Sequence, residues 1–269
     1  LKSFSRLLAV DPGFRTEHIV TARLSPPRAR WSDPGFAAPT AATAERQRTF
    51  YRQLRERLRG SPGISDVAIT NQAPFEKTNE IIAMWVEGVT TNPNELEVMN
   101  HRKVSPDFLR TMGIPLIRGR GFTEADHGGA PLVALVDEAT AAKYWEGKDP
   151  IGGRIRYPWP QWLTIVGVVG TVKNNELTDQ PEPTFYVPFD QNPQANMTVV
   201  ARTAADPAAT LAAIRAAVHE LAPDVPVSDQ GTMSQRIRDS VARPRFATGL
   251  LVTFGALALV LGAIGTYGL

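Results

Sequence analysis

The 269-residue chain contains no cysteine. This absence excludes disulfide bonds, thiol catalysis and thiolate metal sites. A strong surplus of one charge is also absent, because 29 lysines and arginines stand against 27 acidic residues, for a formal net charge of +2. No run of like charges forms a phosphate-binding patch. The composition therefore predicts no nucleic-acid partner.

Metal-ligand and catalytic histidine patterns are missing as well. No H-E-x-x-H motif occurs, and no two histidines stand at metal-ligand spacing. We therefore expect exposed or structural roles for all four histidines. They are His18, His101, His127 and His219.

Three other patterns approach known motifs without matching them. Residues 167–173 run Gly-Val-Val-Gly-Thr-Val-Lys, but the spacing is wrong for a phosphate loop and Asn174 follows the lysine. The stretch 119–121 is too short for a dinucleotide fingerprint, and no G-x-S-x-G elbow is present. The acid pair at 137–138 is explained by a helix cap and a first-turn acid. We assign no catalytic, cofactor-binding or metal residues, and we predict that the protein is not an enzyme.

Long apolar runs are scarce, with one exception. Residues 247–269 contain no charged residue, and as a helix they would extend about 35 Å, enough to cross a bilayer. The alternative is a buried helix of a soluble core. Such helices seldom run this long without a charge, so we predict a transmembrane helix over 247–269.

Hydrophobic patterning divides the rest of the chain into alternating strands and helices. Strands are predicted over 19–24, 67–70, 81–86, 98–104, 132–136, 163–169, 184–187 and 197–201. Helices are predicted over 43–59 with Gly60 as the stop, over 108–112 after a Ser105-Pro106-Asp107 start, over 138–145 behind an Asp137 cap, from Asp206-Pro207 onward, and from a Thr232 cap onward. Residues 26–39 are proline-rich and predict an irregular loop. The fold class is α+β with βαβ-type units.

The two tryptophans Trp159 and Trp162 stand close together in the sequence. They suit either a surface for a ligand or partner, or an anchoring role in the core or a loop.

Several short motifs follow one another along nearly the whole chain. They are VDPGF at 10–14, VSPDFLRTMGIPL at 104–116, RGRGFT at 118–123, YW at 144–145, DPIG at 149–152, IVGVVG at 165–170, YVP at 186–188 and ARPRF at 242–246. In this order they resemble the MacB-like periplasmic core domain of ABC-transporter permeases, of the MacB/FtsX type and its acidobacterial-type duplicated permease branch.

The resemblance implies a two-lobed extracytoplasmic domain at the bacterial inner membrane. Residues 1–104 plus 196–242 would form a βαβ-rich lobe, and 105–195 would form an inserted lobe. One membrane helix would precede Leu1 and 247–269 would be the next. The domain would couple cytoplasmic ATP hydrolysis mechanically to export or to a periplasmic partner, without catalysis of its own.

The resemblance also implies partners. They are an ABC-type ATPase subunit, the remaining transmembrane helices of the permease, a second copy of the chain and a periplasmic adaptor. A membrane-anchored binding or sensor domain without a transport role is the alternative. One observation opposes the topology: Lys2, Arg6, Arg243 and Arg245 flank the membrane on the domain's side. Long loops cross the membrane largely regardless of charge, so the resemblance decides.

Overall fold

A computed structural model of the chain describes residues 10–33, 39–76, 78–90, 92, 96–157, 161–178, 180, 182–240, 258 and 261. Eleven strands lie within these residues. They are β1 Ile19–Leu24, β2 Ile64–Thr70, β3 Ile81–Val86, β4 Glu97–Val104, β5 Leu116–Gly119, β6 Val133–Asp137, β7 Arg154–Arg156, β8 Trp162–Val169, β9 Thr184–Pro188, β10 Met197–Thr203 and β11 Val227–Thr232. The helices are α1 Arg28–Trp31, α2 Ala41–Arg59, α3 Phe108–Met112, α4 Glu138–Tyr144 and α5 Pro207–Leu221. Residues 233–240 are also helical.

The strands and helices predicted within the described residues, from 19 to 240, are confirmed, with ends that differ by up to three residues. Four elements, α1, β5, β7 and β11, are not among the predicted strands and helices. The region 26–39 was predicted to be an irregular loop, but α1 lies within it, because the indole of Trp31 is buried in the core and fixes one turn of helix. Strand β7 is only three residues long, too short to show an alternating pattern.

The helix start predicted at Ser105-Pro106-Asp107 is correct in position but wrong in its cap. Asp107 is the N-cap residue and its side chain makes no cap hydrogen bond. The Ser105 hydroxyl instead accepts a hydrogen bond from the Ile69 backbone N–H at 3.1 Å. Tertiary pairing to β2 therefore replaces the local cap.

The first and last parts of the chain form a four-stranded antiparallel stretch in the order β11-β1-β10-β2. Strands β1 and β2 both run antiparallel to β10, which lies between them, so β1-α2-β2 is a split βαβ unit. By the same relation β10-α5-β11 forms a second unit around β1. Helices α2 and α5 cover one face of this sheet. The apolar residues of the two helices, including Leu54, Leu58, Ile214 and Val218, are buried between the helices and the sheet. Burial of this face stabilises the unit.

Six further strands close on themselves in the order β4-β3-β7-β8-β6-β9, and β9 returns to β4 in a parallel pairing. Strand β5 adds to β8 at the side of this ring. Inward-pointing side chains fill its interior as a separate apolar core. This core includes Met84, Met99, Ile155, Leu163 and Phe185.

A third apolar cluster joins the four-stranded sheet to the ring. It brings Ala68 and Val200 of the sheet against Phe108, Met112 and Tyr186. Strands β2 and β4 meet at a single pair, Thr70 with Val104. Strands β3 and β4 belong to the ring although they precede residue 105. The division into 1–104 plus 196–242 and 105–195 stays a prediction.

The predicted membrane helix at 247–269 lies outside the described residues, apart from two positions. Ala258 and Leu261 are both helical. None of the helices in the described part of the chain has the length and apolar content to cross a bilayer. A transmembrane helix at 247–269 therefore stays a prediction.

Candidate functional site

Strand β4 carries four consecutive polar residues, Asn100 to Lys103, in a stretch that the fold buries. The first three are 1–2% exposed. Buried polar groups are costly unless they are hydrogen-bonded, so such a run requires partners in three dimensions. The connection between β2 and β3 supplies most of them. We take this polar network as the candidate functional site.

His101 lies at the centre of a hydrogen-bond chain. Its Nδ1 is 2.8 Å from Oε1 of Glu80, and its Nε2 is 2.9 Å from the hydroxyl of Tyr157. The amide of Asn192 donates to that hydroxyl at 2.9 Å. The Glu80 carboxylate can only accept, so the neutral imidazole carries its proton on Nδ1, facing the carboxylate, and Nε2 accepts from the Tyr157 hydroxyl. Phe185 stacks on the ring at 4.8 Å and seals it from solvent.

The surroundings hold this pair as a neutral histidine beside an ionised glutamate. Burial, assisted by the charge of Lys103, lowers the pKa of His101 to about 4. Burial by itself raises the pKa of Glu80, but the hydrogen bond from His101, the charge of Lys103 and the hydrogen bond from the Asn71 amide outweigh this effect. They lower the pKa of Glu80 to about 2.

Arg102 is a buried cation without an ion-pair partner in the part of the chain that the structure describes. Its guanidinium donates to the backbone oxygens of Glu80 and His101 and, at 3.0 Å, to Oδ1 of Asn79. Its Nε has no acceptor. Burial lowers the pKa of this guanidinium. The carbonyl groups fix the connection between β2 and β3 against β4, so the network holds two segments together.

A second polar cluster joins α2 to the start of α3. The carboxylate of Asp107 contacts Arg55 at 2.6 Å, Arg110 at 2.8 Å, and Arg59. Arg55 also contacts Glu124 at 3.2 Å. The Arg55 and Asp107 side chains are only 8% and 16% exposed, so the interaction between these two is poorly screened by water. This cluster, named here the Asp107 clasp, ties the helix layer of the sheet to the ring.

A cleft of about 300 Å³ opens between β11, helix 233–240 and the β2–β3 connection. Glu76 lies at its inner wall, where it accepts from Thr198 at 2.7 Å and pairs with Arg23 at 3.3 Å. Burial raises the pKa of Glu76. Arg236 and Asp229 pair with each other at the outer wall at 2.8 Å. These groups are engaged with one another, and none is placed as an activated nucleophile.

The residues considered from the sequence fall in separate places. His18, His127 and His219 are exposed, whereas His101 is buried in the network. Asp137 caps α4 as predicted, by accepting from the Thr140 N–H at 2.8 Å, and burial raises its pKa to about 6. The described residues hold no cluster of three or more His, Asp or Glu side chains placed for a metal ion.

Sequence reasoning missed the polar network, although one signal was present. Residues 100–103 read Asn-His-Arg-Lys inside a predicted strand, where alternation of polar and apolar side chains is expected. Four polar residues in succession on a strand place polar groups on both faces. This departure indicates a buried network.

The four-stranded sheet, the closed ring and the cluster that joins them form a mixed α/β domain. Residues 13–217, most of the chain, match the MacB-like periplasmic core domain. The chain therefore belongs to that family, as its motifs indicated. No relative is found among curated proteins.

Several solved structures are similar to the chain, at low sequence identity. The periplasmic region of MacB from Actinobacillus actinomycetemcomitans has a TM-score of 0.54 and 13% identity, covering 88% of this chain and 97% of the other. A domain of a putative permease from Porphyromonas gingivalis has a TM-score of 0.47 and 16% identity, covering 80% and 89%. The extracellular domain of the ABC-type transporter YknZ from Gram-positive bacteria has 0.47 and 15%, covering 78% and 100%. The first of these supports the mixed α/β fold.

Proposed function

We propose that this chain is the outer domain of an ABC-type permease, positioned on the extracytoplasmic side of the bacterial inner membrane. It transmits movement of the membrane helices, driven by an ABC-type ATPase subunit, to the outside of the cell, where it drives export or acts on a periplasmic partner. It performs no chemistry of its own. The family to which the chain belongs supports this assignment.

The observation that carries the proposal is how firmly helix 233–240 is attached to the domain. Met233 and Ile237 are buried in the cluster that joins sheet and ring. The Ser234 hydroxyl donates to the Thr16 carbonyl at 3.0 Å, and Nε of Arg236 donates to the Thr21 hydroxyl at 2.7 Å. This helix precedes the predicted membrane helix in sequence. A displacement of that membrane helix would therefore reach β1 and the joining cluster directly.

A flexible insertion tests this coupling. The full permease with its ATPase subunit is placed in nanodiscs, with one dye on Val89→Cys and acceptor dyes on the lipids. The chain has no cysteine of its own, so the label is specific. We expect ATP plus vanadate to change the energy transfer. We expect a Gly-Ser linker inserted after Ser240 to abolish that change while ATPase activity stays within about twofold.

The matched control is the same linker inserted after Gly147, in an exposed loop where a side chain would meet no atom. This variant should keep the ATP-dependent change. If the linker after Ser240 also leaves the change intact, mechanical coupling through this helix is wrong. The alternative, a membrane-anchored binding or sensor domain, would then account better for the chain.

A further inference from the structure

The outer face of the ring carries a row of aromatic and arginine side chains across three strands. Arg156 of β7 is paired in register with Trp85 of β3 and with Trp162 of β8. Its guanidinium carbon lies 4.4 Å from the centre of the Trp85 ring and 5.2 Å from that of Trp162. The arginine is therefore held between two indole rings on a rigid sheet.

The Arg156 side chain has no polar partner in the part of the chain that the structure describes. No hydrogen bond or ion pair engages it, and its Nε is buried without an acceptor. Its neighbour Arg154 differs, because Nε of Arg154 donates to Glu87 at 2.8 Å. On this face the Arg154 guanidinium is therefore paired with a carboxylate, whereas the positive charge of the Arg156 guanidinium is held in place without a carboxylate partner among the described residues.

Apolar side chains continue the row along β3 and onto β4. Strand alternation places Ile81 and Ala83 on the same face as Trp85, and Ala83 is paired with Val98 of β4. Ile81 is 57% exposed and Val98 is 53% exposed. Tryptophan and arginine side chains next to exposed aliphatic groups are typical of the hot spots of protein–protein interfaces.

We propose that this face, formed by Ile81, Ala83, Trp85, Val98, Arg156 and Trp162, is a docking surface for a partner protein. The partner presents a carboxylate side chain flanked by apolar side chains. The apolar side chains contact the Ile81–Val98 end of the face. The carboxylate pairs with the Arg156 guanidinium, whose planar fork matches it and whose side chain is already held in place by the two indole rings.

The choice of occupant follows from charge. An anion is required, because the uncompensated group is a cation. A side chain at the edge of an apolar segment meets both features of the face, since the cation and the aliphatic groups lie within one sheet surface. Membrane lipid and a second copy of this chain are the competing occupants, and the experiment distinguishes them.

The test uses the full permease in zwitterionic nanodiscs and two fluorescein-labelled peptides. In one peptide a single glutamate has a valine two residues away on each side, so that an extended backbone places all three side chains on one face, and in the other peptide glutamine replaces the glutamate. Fluorescence anisotropy measures binding. We expect the glutamate peptide to bind and the glutamine peptide to bind about tenfold more weakly, the loss expected for one hydrogen-bonded charge.

Variants identify the contact. Arg156→Gln should weaken binding of the glutamate peptide about tenfold. Arg156→Lys should also weaken this binding, because lysine keeps the charge but loses the planar fork of the guanidinium. Arg118→Gln is the charge-matched control: Arg118 lies on β5, at the opposite end of β8, and pairs with Asp149 at 3.4 Å. It should bind like the unmodified protein. Thermal unfolding of each variant shows that the fold is kept.

Four outcomes would overturn the proposal. They are absence of peptide binding, equal binding of both peptides, binding that is unaffected by Arg156→Gln, and an equal loss in Arg118→Gln. Two more results would assign the face to another occupant and so overturn it as well. One is binding to phosphatidylglycerol vesicles that requires Arg156, and the other is self-association that Arg156→Gln abolishes.

Discussion

His101 is enclosed on all sides, with Phe185 against its ring and a hydrogen bond on each nitrogen. A histidine that is kept neutral by burial binds fewer protons in the folded than in the unfolded chain at pH values between its two pKa values. Its contribution to stability is therefore complete above about pH 6.5 and is lost as the pH falls toward about 4.

The first prediction follows from this difference. Between pH 6.5 and 4 the free energy of unfolding should fall by an amount that includes on the order of 3 kcal/mol from His101. His101→Gln should be less stable at neutral pH but should show a flatter pH dependence in that range. Urea unfolding at a series of pH values measures both.

The control is His219→Gln, which removes an exposed histidine from α5. It should leave the pH dependence unchanged. Asp137 acts in the opposite sense, because its raised pKa favours the folded state at low pH, but it is present in all three proteins. Equal pH profiles for His101→Gln and the unmodified chain would contradict the prediction.

The Asp107 clasp gives the second prediction. Asp107→Asn removes the carboxylate shared by Arg55, Arg59 and Arg110, and it leaves the buried Arg55 with Glu124 as its acidic partner. We expect a loss of about 3 kcal/mol in the free energy of unfolding, because the buried Arg55 guanidinium then keeps only the exposed Glu124 as a counter-charge. Urea denaturation measures it.

Glu220→Gln is the comparison for that variant. Glu220 of α5 pairs with Arg57, which lies on α2 as Arg55 does, but the Glu220 and Arg57 side chains are both more than half exposed. Exposed pairs contribute about 0–1 kcal/mol, so this change should be nearly neutral. A similar small effect from Asp107→Asn would show that the clasp does not stabilise the fold.

At the scale of elements, the turn before β1 docks against the end of β8 through a close backbone approach. Gly13 has φ +84°, and a Cβ at this position would lie 2.0 Å from the Thr171 carbonyl oxygen. The Lys173 N–H donates to the Pro12 carbonyl at 3.0 Å and fixes the same contact. Only glycine satisfies both the backbone angle and the distance.

The third prediction separates these two requirements. Gly13→Ala should destabilise the protein by more than about 3 kcal/mol, because strain in φ and a backbone clash add together. Gly88→Ala has a similar φ of +76° but no neighbouring atom within 4 Å, so it should cost only about 1–2 kcal/mol. Thermal or urea unfolding compares them. Equal losses would show that the turn moves freely away from β8.

At the scale of the whole molecule, the proposed function requires that the domain lie outside the inner membrane. The chain lacks cysteine, so Val89→Cys in the exposed β3–β4 turn provides a single thiol. We expect a thiol reagent that does not cross the inner membrane to label this residue in cells whose inner membrane is intact.

The control for sidedness is Met84→Cys, which lies inside the ring and is fully buried. It should react after denaturation only. Labelling of Val89→Cys that requires lysis of the cells, in a protein that still protects Met84→Cys, would place the domain in the cytoplasm and contradict the proposed function.

The local pattern of the sequence was enough to predict most elements. Apolar alternation located β1, an unbroken apolar run located β6, an Asp137 cap located α4, and the spacing of Leu211, Ile214 and Val218 located α5. These signals are carried by neighbouring residues, so they can be read without the fold. The order of the motifs likewise indicated the family that the match over 13–217 shows.

Long-range pairing could be decided only by the tertiary structure. Closure of the ring depends on β4 meeting β9, more than eighty residues away, and no local pattern encodes that partner. The same holds for the hydrogen bonds of His101 to Glu80 and Tyr157 and for the position of Arg156 between Trp85 and Trp162. Most strands and helices could be located from the sequence, because hydrophobic period and capping are local. The tertiary structure decided which polar groups are buried together, because burial depends on the whole chain.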